Sequence, residues 1–262
     1  MLPEIKTNTE TESLTFPSYE GFTAILKLDF KSCMLLNNMN MALSASLIFR
    51  KVIQEMLVET IDEIEKKPIN ELLDIQQQLD SVVIRTKGNT KNDLNAILIY
   101  TGKCFAECLL RGILINGAIS YGKIILDQDT KQFESKSLIL AQQILEETYW
   151  FGITIEDSLA YFYDNREQFD SELQNICYKQ IHIVRPYDIP YRGFSLKSSI
   201  KNSHYVLAWP LMIDNYQMRF KALSSDQFFQ DFSHVYGPYS LCPHFFKHRF
   251  LHTYDFLQHT II

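Results

Sequence analysis

Ala24-Ile-Leu-Lys-Leu-Asp29-Phe30 and Leu79-Asp80-Ser-Val-Val-Ile-Arg-Thr86 are the two runs on which the fold turns. Each reads as a strand, and each carries one aspartate amid apolar neighbours. A carboxylate set in a buried strand costs free energy unless it meets something positive. A βαβ crossing would bring the two strands side by side, and Asp29 and Asp80 together are able to hold a divalent metal and with it a nucleoside triphosphate. Each also has a plainer reading. Asp29 can turn the chain or cap a helix through Lys31-Ser32, and Asp80 can make an Asx turn within a hairpin.

Working outward, the chain from Gly21 to Phe30 alternates as a strand does. Leu43, Leu47, Ile48, Val52, Met56, Ile61 and Ile64 then recur at helical spacing, with Glu55, Glu59, Asp62 and Glu63 between them, until Pro68 stops the helix. Residues 70 to 86 read as two strands joined near Gln78-Leu79-Asp80, closed by Lys87-Gly88-Asn89. Thr90 with Asp93 makes a capping box for a helix whose inner face is Leu94, Ile97, Leu98, Thr101, Phe105 and Cys108. Arg111-Gly112 ends that helix. Ile113 to Tyr121 reads as a strand interrupted at Asn116-Gly117, Lys136 to Thr148 as a helix, and Phe151 to Ile155 as a short strand.

Strand, helix, strand, strand, helix, strand is the βαββαβ order, a sheet covered by helices on one face. Later strands are expected at Tyr178 to Val184 and His204 to Pro210, and from Tyr216 the chain turns aromatic and helical. The fold class expected is α/β (α+β), a ferredoxin-like βαββαβ core with extra C-terminal strands and a helical C-terminal appendage. Its divisions are a polar lead-in at 1–20, a main domain at 21–212, and a helical extension at 213–262 packed on that domain.

The 262 residues are 46% hydrophobic and 21% charged, which sets aside disordered and fibrous classes. A net charge of −6 gives no global basic field, so neither nucleic acid nor a membrane surface is an expected partner. No apolar run reaches the roughly 18 residues of a spanning helix. The first residues lack the basic start and apolar run of a signal peptide, and the protein is expected in the cytoplasm. Its five cysteines (Cys33, Cys104, Cys108, Cys177 and Cys242) are odd in number and irregularly spaced, against a disulfide framework. Cys104 and Cys108, one helical turn apart, read as packing.

In order, these pieces resemble the catalytic domain of class III nucleotidyl cyclases, in the divergent bacterial branch that includes the pyrimidine cyclases of anti-phage defence. Leu28-Asp29-Phe30 is similar to the first-strand metal motif, and Leu79-Asp80-Ser-Val-Val-Ile84 to the hairpin that supplies the second aspartate. Gly112-Ile-Leu-Ile-Asn-Gly-Ala-Ile-Ser-Tyr-Gly122 is similar to the next strand, Ser135 to Leu145 with Trp150-Phe-Gly-Ile153 to the following helix and strand. Tyr187-Asp-Ile-Pro190 and Tyr205-Val-Leu-Ala-Trp-Pro210 resemble the closing strands. The resemblance covers about residues 20 to 212.

What the resemblance implies is a homodimer that binds a nucleoside triphosphate with two Mg or Mn ions on Asp29, the Phe30 carbonyl and Asp80, and forms a cyclic mononucleotide with loss of pyrophosphate. Ser32, Cys33 and Lys136 would then lie along the nucleotide. The chain also departs from the pattern. Ile139 and Gln143 stand where the family writes an asparagine and an arginine, and Asn116 stands where this branch writes an arginine before the inner glycine. Ser135-Lys136-Ser137 replaces a small Gly-Pro-Ala turn. A neutral glutamine does not supply a guanidinium's charge, and losing one such donor costs about a hundredfold or more in rate. The catalytic candidates are therefore Asn116, Gln143 and Arg111, with Lys136 or Arg111 compensating from nearby. The alternative is a catalytically degenerate homodimer of the same fold, serving as a nucleotide-sensing or interaction module.

Three further features stand outside that pattern. Cys242, His244, His248 and His252 form a zinc-competent set, but three helical turns span too much rise for all three histidines to meet one ion, so at most two adjacent ones and Cys242 could converge. The stripe Phe228, Phe229, Phe232, Tyr236, Phe245, Phe246, Phe250, Tyr254 and Phe256 reads as core or interface. Lys197 to Lys201 reads as a solvated basic patch.

Overall fold

β1 (Ser18–Leu28) lies inside the sheet because both of its faces are apolar. Phe22, Ala24, Leu26 and Leu28 enter the large core on one side, while Ile25 joins Val83, Ala118, Ala141, Ile144 and Leu145 on the other. The computed structural model describes residues 17–29, 39–60, 68–126, 133–163, 165–191, 203–220 and 223–261. Phe30, Ser32, Cys33 and the Lys197 to Lys201 patch lie outside the described residues.

α1 (Met39–Glu59) follows, then β2 (Leu73–Gln77) and β3 (Ser81–Thr86), α2 (Lys91–Leu110) and β4 (Ile115–Leu126). The strands stand in the order β2-β3-β1-β4, each antiparallel to its neighbour, so the βαββαβ unit is present as expected. Thr90 and Asp93 make the capping box at the start of α2. Gly112 ends it: the Gly112 N–H donates to the Leu109 carbonyl and the Ile113 N–H to that of Cys108, with Gly112 at φ +71°. That left-handed turn, with the Asp231 backbone packed against it, requires glycine.

The remaining elements are β5 (Phe133–Ser135), α3 (Lys136–Glu147), β6 (Ile153–Ile155), α4 (Arg166–Gln174), β7 (Cys177–Tyr178), β8 (Ile181–His182), β9 (Val184–Asp188) and β10 (Ser203–Leu207). Four helices complete the described chain: α5 (Tyr216–Phe220), α6 (Ser225–Gln230), α7 (Ser233–Tyr236) and α8 (His244–Ile261). The sheet extends as β4-β6-β10-β9, with β4 and β6 parallel, which makes the whole a mixed α/β structure.

Three local expectations change. β4 is not interrupted at Asn116-Gly117, since both residues pair with β1, opposite Lys27 and Leu26. Glycine stands there because a Cβ would come within 2.6 Å of the Leu26 side chain. Tyr178 to Val184 is not one strand: Lys179 and Gln180, both at positive φ, fold it into the β7–β8 hairpin without the usual Asn-Gly signal. Helices also cover both faces of the sheet. α1 and α2 pack over the large core, and α3 lies on the opposite face across β4 and β1.

The C-terminal aromatics belong to the same core. Phe228, Phe229, Phe232, Tyr236, Phe246, Phe250 and Phe256 are buried in one cluster with β1 and β4, whereas Phe245 is exposed. Among the described residues, no helix is long and apolar enough to cross a membrane.

Candidate functional site

The C-terminal end of β1 meets the β2–β3 turn and the entry to β4. The Leu28 N–H donates to the Asp80 carbonyl at 2.7 Å, and the Asp29 N–H to the Leu114 carbonyl at 3.3 Å. Inside the turn, the Gln78 N–H donates to the Ser81 carbonyl at 2.8 Å. These bonds set the backbones at Asp29 and Asp80 next to each other, which is the adjacency expected of the two strands.

Their surroundings differ. Arg249 Nη1 of α8 donates to Asp29 Oδ2 at 3.2 Å, with the two side chains 6% and 11% exposed. The guanidinium lies over the Phe151 ring at 4.1 Å and also donates to the Trp150 carbonyl at 3.5 Å. Sequence reasoning missed Arg249. No local pattern marks it, because its partner lies 220 residues earlier.

Asp80 instead lines an open groove of about 470 Å³ on the α3 face, where β1, β2 and β3 run out from under the helix. Lys27, Gln76, Gln78, Gln142 and Glu146 line it as well; Asp29 does not. Among the described lining residues, Lys27 is the cation, and Asp80 and Glu146 are the carboxylates. Gln76, Gln78 and Gln142 add amides that both donate and accept, so the described wall is polar with one more negative than positive charge.

The other sequence candidates are spread over the fold. Asn116 is buried on β4 opposite Lys27, close to the groove. Gln143 is exposed and donates to Glu147 Oε1 at 2.9 Å, while Ile139 is exposed beside it. On α3 it is Gln142, one position before Gln143, and Glu146 that reach the groove. Lys136 starts α3 near Gly122, six residues along β4 from Asn116, or roughly 20 Å at strand rise. Arg111 points into the other helical layer, bridging Glu55 and Glu107 at 2.7 Å each. Its side chain holds the Glu55 carboxyl below the usual range.

A two-ion centre needs several oxygen ligands with an open position for substrate. The Asp29 carboxylate is engaged by a buried guanidinium, and no group of three or more His, Cys, Asp or Glu able to hold a metal occurs among the described residues. The described donor set does not fit such a centre. The zinc alternative fares no better. The His244 and His248 rings lie 4.3 Å apart at a 43° tilt and those of His248 and His252 6.4 Å apart, while Cys242 is buried with Sγ directed at the Pro238 carbonyl, and none of them falls in a metal-competent group among the described residues. Cys104 and Cys108 are buried and free, and burial pushes the Cys104 thiol up to about 12. They pack rather than react.

No protein-family pattern matches the chain, and no curated protein matches it. Solved structures similar to it include the guanylyl cyclase Cya2, at 10% identity and TM-score 0.46, over 73% of this chain and 92% of that one. The adenylyl cyclase CyaB from P. aeruginosa is similar at 12% identity and TM-score 0.43, over 73% and 95% of the two chains. A bacterial light-regulated adenylyl cyclase is similar at 11% identity and TM-score 0.43, over 59% and 48%.

Proposed function

We propose that the chain is a cyclase-like nucleotide-sensing or interaction module, which takes a nucleotide into the groove beside Asp80 and does not cyclise it. Charge placement carries the reading. Cyclisation builds negative charge on phosphorus, and catalysis of it is mostly positioning and electrostatic neutralisation. Here Arg249 is committed to Asp29, Arg111 to Glu55 and Glu107, and the helix position that would reach the groove carries Gln142. The groove has a volume ordinary for a small-molecule site, and its amides suit the edge of a base.

The second reading is turnover: Mg- or Mn-dependent conversion of a nucleoside triphosphate to a cyclic mononucleotide, as in the divergent bacterial branch of the cyclases. The Leu28–Asp80 hydrogen bond favours it by keeping both aspartates at one end of the sheet. Turnover requires Asp29 to give up Arg249.

Purified protein incubated with manganese and each of the four nucleoside triphosphates is expected to yield no cyclic product by mass spectrometry. Calorimetry with nucleoside triphosphates and cyclic mononucleotides is expected to show heat for at least one, weakened by Gln142→Leu. Cyclic product that disappears in Asp29→Ala would establish turnover instead. No heat with any nucleotide would remove the sensing reading.

The proposal includes a homodimer. Met39, Leu43 and Leu47 form an exposed apolar stripe at four-residue spacing on α1, and exposed Leu79 lies against α1 through the Ser46 bond to its carbonyl. Light scattering is expected to return twice the 30.7 kDa of one chain. A monomer mass at working concentration removes the second copy.

A further inference from the structure

We propose that the groove beside Asp80 selects nucleotides by charge: it takes a cyclic mononucleotide, which carries a single negative charge, and turns away the triphosphate. The inference rests on the nucleotide-sensing reading above and names the ligand class of that groove.

The groove has an apolar floor and a polar end. Ile25 and Val83 face each other across β1 and β3 and pack in one cluster with Leu145 of α3. Such a floor suits the flat face of a base. Two residues further along, about 7 Å at strand rise, Lys27 faces Ser81 across the same pair of strands. Alternation keeps Lys27 on the sheet face that carries Ile25. A base seated on the floor thus directs its sugar toward Lys27 and brings one phosphate to the ammonium, while the Gln76 and Gln142 amides meet polar edges without adding charge.

Charge then sets the limit. Lys27 is the cation among the described lining residues, and it stands against the carboxylates of Asp80 and Glu146. The guanidinium groups nearest to it are engaged elsewhere. Arg85, on the same sheet face, pairs with Asp74 at 3.1 Å, and Arg50 Nη2 donates to the Gln78 backbone carbonyl at 3.2 Å. One phosphodiester charge meets one ammonium. A triphosphate brings further negative charges to a wall that already carries a negative excess, and repulsion between like charges at these distances accumulates with each of them.

Calorimetry at fixed ionic strength, in buffer with a chelator, compares the nucleoside, the cyclic mononucleotide and the triphosphate of each of the four bases. For the base bound most tightly, the cyclic form is expected to bind at least about tenfold more tightly than the triphosphate and about threefold more tightly than the uncharged nucleoside. Lys27→Met is expected to remove the second difference and leave the nucleoside unchanged. Glu146→Gln is expected to narrow the first by about threefold. Both side chains are exposed, so neither substitution opens a cavity.

A triphosphate bound as tightly as the cyclic form would overturn this inference and leave the sensing reading standing. A Lys27→Met that still favours the cyclic form over the nucleoside would overturn the assignment of Lys27 to the phosphate, and the inference with it. No heat with any nucleoside or nucleotide would remove the sensing reading itself.

Discussion

Methionine in place of Arg249 is expected to lower the unfolding free energy by about 3–5 kcal/mol, and Asp29→Asn in the same chain to return most of the loss. The single variant strands a carboxylate that is 11% exposed. It loses its charge partner while the fold still keeps most water away. The double variant removes the charge and keeps the shape, so the cost of burial goes with it. Urea unfolding of wild type, both single variants and the double variant closes the cycle. A melting point lower by on the order of 10 °C should accompany Arg249→Met. A loss under about 1 kcal/mol, or a double variant no more stable than Arg249→Met, would show that the pair behaves as an exposed one.

Phe250→Ala is expected to cost as much by a different route, about 3–5 kcal/mol, with no recovery from Asp29→Asn. Phe250 is fully buried. It stacks on Phe228 at 5.3 Å, meets Phe229 edge-on at 5.0 Å, Phe232 at 5.8 Å and Tyr239 at 6.1 Å, so alanine leaves a cavity lined by aromatic rings. Because these rings belong to one cluster with Phe22 and Leu26 of β1, the loss should lower a single cooperative transition. Two separate transitions, one for the residues after 213 and one for the rest, would contradict that packing. The two substitutions are neighbours in sequence, yet one tests a charge and the other a volume.

The βαββαβ unit was legible because each of its pieces is signalled locally. Period-two runs surround Asp29 and Val82-Val-Ile84, Thr90 and Asp93 close a capping box, and Gly112 supplies the left-handed turn that stops α2. The adjacency of Asp29 and Asp80 followed from that order. The occupant of Asp29 was not legible, since an arginine within an aromatic helix gives no hint of a carboxylate on the first strand. Nor was the groove's helical wall. Gln142 and Gln143 are chemically the same residue, and only the roll of α3 about its axis turns Gln142 inward and Gln143 toward Glu147. The β7–β8 hairpin escaped because Lys179-Gln180 takes positive φ without glycine or asparagine, where tertiary packing overrides local preference.

The separation of Asp29 from Arg249 also has a kinetic meaning. Closing a 220-residue loop carries an entropy cost on the order of 5 kcal/mol above that of neighbouring contacts, so the contact forms after the hairpin and the sheet have made shorter closures rewarding. A contact absent from the transition state affects escape from the native state more than arrival at it. The ion pair therefore acts as a latch: it leaves the speed of folding nearly untouched and sets how long the finished protein stays folded.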